Sequence, residues 1–205
     1  MENKEYELDG MIFKFVYITA IRDAVIQKAY NGEKKWTEKE EIIDNLKDII
    51  EPLVDNVLHN NFKTQKEYDD DFLDVTIKIC EYMNCQKECN KFKFGNAQKL
   101  VNMMLKYFYI NNYKDTSKKE GFRFCHCPLD GKMLEIVWSK CREIDEKNTY
   151  GKRDWFLKSW GNEEFDVDDN GNRVYPERYI AFQQAVNFFA KKSKMSSIEF
   201  DYCEW

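Results

Sequence analysis

The chain has 205 residues, of which 43% are hydrophobic and 34% are charged, and its formal net charge at pH 7 is −5. So many apolar side chains exclude a disordered chain, since they suffice to bury a core. The N-terminal sequence lacks a basic region followed by a long apolar run, and the run from Met11 to Ile21 contains Lys14 and is too short to cross a bilayer. We therefore expect a cytoplasmic protein with no membrane partner, whose seven cysteines are mostly buried free thiols.

Apolar residues at a helical period mark three helices in the first ninety residues. The first is predicted to end near Asn31. The second would be capped by Thr37 and Glu40 and would run toward Pro52, after which the apolar pattern continues. The third is predicted from Phe72 to Met83. None of these segments carries a chemical motif.

Almost every residue from Ala97 to Ile110 is apolar, and neither proline nor glycine interrupts this segment. Its length favours a helix buried on most sides, with Asn96 as a candidate N-cap. Its polar exceptions, Lys99, Asn102 and Lys106, are spaced i, i+3, i+7 and therefore share one narrow stripe. An unpaired buried ammonium is very costly, so either the two lysines extend to solvent beside the core or the stripe lines an active-site cleft.

Further helices are predicted after a polar loop from Asn111 to Glu120. One begins at Pro128–Asp130, because proline suits a first turn and a carboxylate is favoured there by the helix dipole. Capping alone would also explain this aspartate. A short aromatic helix is predicted from Trp155 to Trp160 and a longer helix from Tyr179 to Lys191. The chain then closes with a short extended or helical tail that packs on the body.

The sequence from Asp166 to Glu177 allows two interpretations. Its Asp, Asn, Gly and Glu spacing satisfies that of an EF-hand calcium loop. However, Arg173 stands where such a loop normally packs an aliphatic side chain, and Asn170–Gly171 is a favoured two-residue turn. We therefore favour a β-hairpin over a calcium site.

Most of the cysteines fall into a C-x4-C-x3-C group at residues 80–89 and a C-H-C triplet at residues 125–127. Neither group contains the C-x2-C pair typical of zinc sites, and their spacing fits no iron–sulfur pattern. We therefore predict no metal and no cofactor.

Charge is distributed unevenly along the chain. Between Gln86 and Lys132 there are ten basic and four acidic residues, a net charge of +6, so the remainder carries −11. A phosphate-binding face on an acidic body has this asymmetry. A solvated helix–loop surface has it too.

These elements predict a mainly α-helical fold. The chain would form one compact multi-helix domain over residues 1–205, or two helical lobes over residues 1–90 and 91–205 with a cleft between them. A minor β-hairpin is expected near residues 165–175.

Two short motifs, GNAQK opening one apolar helix and CPLDGKML opening another, resemble the active-site segment of the helix-hairpin-helix DNA glycosylases, which remove oxidised bases. The resemblance implies that Lys99 attacks the sugar C1′ to form a Schiff base, and that Asp130 stabilises the developing positive charge. Ala97 and Gln98 stand where the family usually has a second glycine. The 31-residue separation between Lys99 and Asp130 is also longer than usual, and the predicted polar loop could absorb the excess.

A broader set of motifs over residues 95–205 resembles a group of uncharacterised bacterial and phage-borne proteins. These motifs are G-x-A-Q-K, N-M-x-L-K-Y, C-H-x-P-L-D, F-Q and a closing E-F-D-x-x-x-W. This resemblance implies no activity. It does favour a protein of a mobile element that binds a host protein.

The sequence therefore supports two main functional hypotheses. The first is a DNA-binding base-excision protein with Lys99 and Asp130 as catalytic residues and a flipped base stacked on Phe94 or Trp138. The second is a non-enzymatic phage or mobile-element protein that inhibits a host defence or nucleic-acid-processing protein, and a metal-organised module is a third. For the first hypothesis, the residues expected to contact nucleic acid are Lys91, Lys93, Gln98, Asn102, Lys106, Arg123 and Lys132.

Overall fold

The computed structural model describes residues 2–24, 39–87, 89, 91–144 and 158–204, and in the first helix it describes the side chains of residues 10–22 only. Within these ranges the fold is mainly α-helical, as predicted. The helices, numbered in chain order, are α1 Glu2–Ala24, α2 Glu40–Leu58, α3 Gln65–Asn84, α4 Phe94–Asn112, α5 Thr116–Gly121, α6 Gly131–Ile144, α7 Glu177–Lys192 and α8 Ser197–Glu204. Two 3-10 turns, Phe122–Phe124 and Trp160–Asn162, and two short strands, β1 Asp166–Val167 and β2 Arg173–Val174, complete the described elements.

Helix α4 lies at the centre of the molecule. It packs against α1, α3, α5 and the Trp160–Asn162 turn, and its apolar residues Leu100, Val101, Met104 and Leu105 are fully buried. The prediction of a mostly buried helix is therefore confirmed, although the helix extends beyond the predicted ends. One hydrophobic core contains residues from Phe13 to Phe200, so residues of both predicted lobes contribute to it.

The start of α4 corrects one capping prediction. Asn96 is not the N-cap but the third residue of the helix, and its side-chain oxygen accepts a hydrogen bond from the Lys93 amide at 3.0 Å. The residue before Asn96 is Gly95, and only glycine fits there, because a Cβ at this position would lie 2.0 Å from the main-chain oxygen of Trp160. The missing side chain lets the Trp160–Asn162 turn pack directly on the first turn of α4.

The segment that we expected to be a polar loop contains helix α5. The Asp115 side chain caps this helix by accepting hydrogen bonds from the amides of Ser117 and Lys118 at 3.1 and 3.4 Å. Gly121 then packs on the main chain of α2, where a Cβ would lie 1.7 Å from the Val57 oxygen. The prediction of an unstructured loop was wrong because this backbone contact, which no local pattern reveals, anchors the segment.

The β-hairpin prediction is confirmed. Strands β1 and β2 pair antiparallel, with Asp166 opposite Val174, and Gly171 adopts a positive φ of 83° in the turn. The Asp168 carboxylate accepts hydrogen bonds from the amides of Asn170 and Asn172. Asp166 accepts one from Glu177, so both carboxylates serve the hairpin and the next helix. Across the described ranges, no cluster of His, Cys, Asp or Glu with metal-binding geometry is found.

The remaining predictions concern helix limits. Helix α2 continues through Pro52 to Leu58, and α3 begins at Gln65, earlier than predicted. The predicted cap at Thr37, the helix end near Asn31 and the first half of the predicted aromatic helix, residues 155–157, lie outside the described residues. No helix in the part of the chain that the structure describes has the length and apolarity needed to cross a membrane. All seven cysteines are free, as predicted.

Candidate functional site

Lys99 and Asp130, the two residues predicted to be catalytic, meet in the structure. The Lys99 Nζ lies 3.2 Å from the Asp130 Oδ2, and only 10% and 12% of the two side chains are exposed. Lys99 stands in the second turn of α4, and Asp130 immediately precedes α6. The pair is therefore formed near the starts of two helices, by residues that lie 31 positions apart in the chain.

The aspartate has two separate tasks. Its Oδ1 accepts a hydrogen bond of 2.8 Å from the Met133 amide and so caps α6, while its Oδ2 faces Lys99. Capping and ion pairing were alternatives at the level of the sequence, and the structure shows both. The capping bond fixes the orientation of the carboxyl group toward Lys99.

Two buried glutamines hold the segment that leads to Asp130. The Gln98 side chain bonds both the amide and the oxygen of Leu129, each at 3.2 Å. The Gln183 side chain bonds the amide and the oxygen of Cys127 at 3.0 and 2.7 Å. A side-chain amide can satisfy a main-chain donor and acceptor together, so each glutamine bonds the extended main chain as a neighbouring β-strand would. Asp130 is thereby tied to α4 and α7 at once.

A second lysine–aspartate pair lies beside the first. Lys106, two turns further along α4, places its Nζ 2.5 Å from the Asp201 Oδ2 on α8. Asp201 is only 1% exposed, and this burial raises its pKa although the charge of Lys106 opposes the shift. Burial also raises the pKa of the neighbouring Cys127 thiol well above its ordinary value, which keeps that thiol protonated.

Both pairs line one cleft with a volume of about 360 Å³. Its apolar part comes from α4 and from Tyr202 of α8, which is 62% exposed at the edge of the site. The predicted stripe thus faces a cleft at two of its three positions, Lys99 and Lys106. The lining residues are Lys99, Met103, Lys106, Tyr107, Ile110, Asp130, Asp201 and Tyr202.

The Trp160 ring covers the other side of Lys99, with the Nζ 4.8 Å from the ring centroid. A cation at this distance from an indole is attracted to the face of the ring. Buried Arg178 holds the chain on both sides of Trp160. Its guanidinium donates hydrogen bonds to the Lys158 main-chain oxygen and to the Glu163 carboxylate, each at 2.6 Å. The indole is therefore a fixed part of the site.

A chain of hydrogen bonds runs beneath the cleft. The Asn102 amide donates to the Gln98 Oε1 and to the Tyr179 hydroxyl, each at 3.1 Å. The Tyr179 hydroxyl contacts the His126 Nδ1 at 3.0 Å, and the His126 Nε2 contacts the Asp69 Oδ1 at 3.0 Å. We call these five residues the buried polar chain. They position α4 against α3, α7 and the segment before α6.

The structure corrects the expected position of several site residues. Gln98 and Asn102 have no exposed surface, so they cannot contact a nucleic acid directly and instead position the residues around them. Phe94 is also fully buried and packs on Tyr179 and Phe165, so it cannot stack on a base. Trp138 is half-buried on α6.

The other predicted contacts to nucleic acid lie at or near the surface. Lys91 is exposed, with a positive φ of 73°, and Lys93 pairs with Glu164 at 2.7 Å. Arg123 pairs with Glu120 at 2.5 Å, and Lys132 is exposed in the first turn of α6. These four residues do not line the cleft.

Seven residues in or around the cleft were not predicted as site residues: Met103, Tyr107, Ile110, Trp160, Gln183, Asp201 and Tyr202. Gln183 and Asp201 belong to the F-Q and E-F-D motifs, so a motif signal was available. No spacing rule could bring Trp160 to Lys99. Its position depends on the close approach at Gly95 and on the anchor at Arg178.

Comparison with known proteins gives no relative: no family model, curated protein or solved structure matches this chain.

Proposed function

We propose that this protein binds DNA and excises damaged bases, with Lys99 as the amine nucleophile and Asp130 as its acidic partner. The observation that carries the proposal is the 3.2 Å contact between Lys99 Nζ and Asp130 Oδ2 at the wall of an open cleft. An amine and a carboxylate held together at a cleft are the two groups that Schiff-base chemistry at a sugar carbon requires.

The chemistry follows from the geometry of the pair. Asp130 accepts a proton from the Lys99 ammonium, and the free amine attacks C1′ of the damaged nucleotide. The Nζ–C1′ bond forms as the C1′–N bond to the base breaks, and the base leaves with the proton that Asp130 had accepted, so the carboxylate is ionised again. The C1′–O4′ bond then opens, O4′ takes a proton from the nitrogen, and a protonated imine remains between Lys99 and C1′. At an existing abasic site, the same amine condenses with the C1′ aldehyde and water leaves. The ionised carboxylate then lies beside the positive charge that develops at C1′.

The size and lining of the cleft support a single extruded base. Its volume of about 360 Å³ is at the small end of the range for ligand sites and excludes a duplex, so the base must leave the helix to enter. The Lys106 ammonium at the wall of the cleft offers a donor to a base edge. Tyr107 and Tyr202 offer aromatic surface for its faces.

The test is borohydride trapping on duplex DNA that carries an abasic site or an oxidised base. Borohydride reduces the imine to a stable amine, so wild-type protein should give a covalent adduct. Lys99→Ala should give none. Asp130→Asn should lower the adduct yield by roughly tenfold or more while retaining the cap of α6, since asparagine caps as well as aspartate.

The matched control is Lys78→Ala, which removes an exposed lysine paired with Asp74 on α3, outside the cleft. It should trap DNA like the wild type. Adducts that persist in Lys99→Ala would contradict the role of this lysine. A folded wild-type protein that gives no adduct with several lesions would exclude the activity.

A non-enzymatic mobile-element protein that binds a host defence or nucleic-acid-processing protein is the second candidate. It is favoured by Met11 and Phe15, which lie one turn apart on α1 and are 66% and 69% exposed. Adjacent exposed apolar side chains often mark a protein interface. If no lesion is trapped, loss of a host partner in Phe15→Ser would support this candidate.

A further inference from the structure

A groove with basic side chains opens between α5 and the end of α7. Its volume is about 420 Å³. We call it the basic groove. The lining residues are Tyr109, Thr116, Lys119, Glu120, Arg123, Asn187, Lys191, Met195, Ser196 and Glu199.

Three separate segments supply its cations. Lys119 comes from α5, Arg123 from the following 3-10 turn, and Lys191 from the last turn of α7. Only the first two belong to the basic segment recognised in the sequence. Three further exposed lysines, each next in sequence to a residue that lines the groove, add positive charge nearby: Lys118, Lys192 and Lys194.

The carboxylates of the groove are already paired with its cations. Glu199 accepts hydrogen bonds from the Tyr109 hydroxyl and the Ser196 amide, and lies 2.7 Å from the Lys119 Nζ. Glu120 pairs with Arg123. Among the described lining residues, three cations therefore face two carboxylates, and Lys191 supplies the excess positive charge.

These ion pairs do not prevent the cations from binding a ligand. The side chains of Lys119 and Arg123 are 43% and 38% exposed, and pairs this close to water contribute little to stability. Both cations can therefore contact a phosphate oxygen at little cost. The Arg123 guanidinium lies 4.5 Å from the centroid of the Phe124 ring, which restrains its position.

The same two helices build the groove and the cleft. Helix α8 contributes Glu199 to the groove, with Ser196 just before it, and Asp201 and Tyr202 to the cleft. Helix α4 contributes Tyr109 to the groove. These shared helices are the ground for assigning the cleft and the groove to one bound strand.

We infer that the basic groove binds backbone phosphates of DNA next to the nucleotide held in the cleft. This inference rests on the proposed function, because it assigns the groove to the same bound DNA. Its contacts are with phosphates, so they would contribute affinity and orientation without reading the base sequence.

The experiment measures binding of a fluorescent, undamaged duplex at several salt concentrations. The groove variant combines Arg123→Ala with Lys191→Ala. The matched control combines Lys47→Ala with Lys78→Ala and so removes the same number of positive charges outside the groove. Each of these lysines pairs with a carboxylate four residues away on its own helix, α2 or α3. A single variant, Lys191→Gln, changes one exposed residue and preserves the paired side chains.

The groove variant should bind duplex about tenfold more weakly than wild type, and its slope of log affinity against log salt should fall by about two. Lys191→Gln should lower the slope by about one. The control should match the wild type in both quantities. Wild-type affinity and slope in both groove variants would overturn the inference, as would wild-type protein that shows no salt-dependent binding.

Binding and trapping separate the two proposals. Salt-dependent binding that the groove variants weaken, without any adduct, would support the groove and reject the lyase chemistry. Adducts formed equally well by groove variants of wild-type affinity would support the chemistry and reject the groove.

Discussion

The cleft and the buried polar chain are two polar regions on the same helix, and they differ in their access to solvent. Lys99 and Lys106 are each 8% exposed and reach an open cleft, whereas Gln98 and Asn102, next to them on α4, are fully buried. All four are polar exceptions on an apolar helix. The comparison teaches that the polar residues of a buried helix can divide into an edge that faces a cleft and an interior that positions neighbouring elements.

The two regions are also stabilised differently. The cleft holds charges whose desolvation is partly offset by an opposite charge, as in the Lys106–Asp201 pair. The buried polar chain joins side-chain amide, hydroxyl and imidazole groups, with the half-buried carboxylate of Asp69 at its end. Burial raises the pKa of this carboxylate, but the hydrogen bond and charge of His126 outweigh that effect, and its pKa is lowered. Removing one member of an ion pair in the cleft should therefore lower the free energy of unfolding by more than removing one member of the buried polar chain.

The largest effect is expected at the second pair in the cleft. Lys106→Ala should lower the free energy of unfolding by about 3–5 kcal/mol, because it leaves the carboxyl group of Asp201 buried without its cation. Urea unfolding followed by circular dichroism measures this loss. The double variant Lys106→Met with Asp201→Leu removes both charges and should recover most of the stability. A loss below about 1 kcal/mol in the single variant would show that this pair is not a strong structural contact.

A smaller effect is expected in the buried polar chain. Tyr179→Phe removes the hydroxyl that joins Asn102 to His126, and should lower the free energy of unfolding by about 1–3 kcal/mol. Because the phenylalanine ring preserves the packing, borohydride trapping by the folded variant should remain close to wild type. A folded Tyr179→Phe protein with no trapping would mean that the chain takes part in the chemistry, and the distinction between the two regions would fail.

The smallest effect concerns pH and Glu199, which lies on α8 near the cleft residue Asp201 but shows the opposite shift. Burial alone would raise the pKa of Glu199, but hydrogen bonds from Lys119, Ser196 and Tyr109 outweigh it and lower the pKa from 4.5 to about 2. The folded state therefore binds this proton less readily than the unfolded state, so the contribution to stability is present above pH 4.5 and is lost as pH falls toward 2.

Glu199→Gln tests this sign. The variant should be less stable than wild type near neutral pH, by less than about 1 kcal/mol because solvent screens the contacts. The difference should shrink as the pH falls through that window. Unfolding temperatures measured across the range provide the readout, and a gap that stays constant or widens in acid would contradict the assignment.

Local patterns in the sequence determined much of the fold. The apolar run after Gly95 was enough to predict α4, because a long uninterrupted apolar segment can be satisfied only by burial. The Asn170–Gly171 turn was enough to predict the hairpin, since its positive φ suits glycine. The pairing of Lys99 with Asp130 followed from a short motif resemblance rather than from periodicity.

Only the tertiary structure decided which side chains share the cleft. Asp201 and Trp160 come from segments far from Lys99 in the chain, and their approach depends on contacts such as that of Gly95 with the Trp160 turn. The tertiary structure alone also places Lys191 and Arg123 in one groove. It likewise buries Gln98 completely, so that this side chain cannot contact a ligand. Periodicity reports which face of a helix is apolar, whereas access to a polar side chain depends on the neighbours that distant parts of the chain provide.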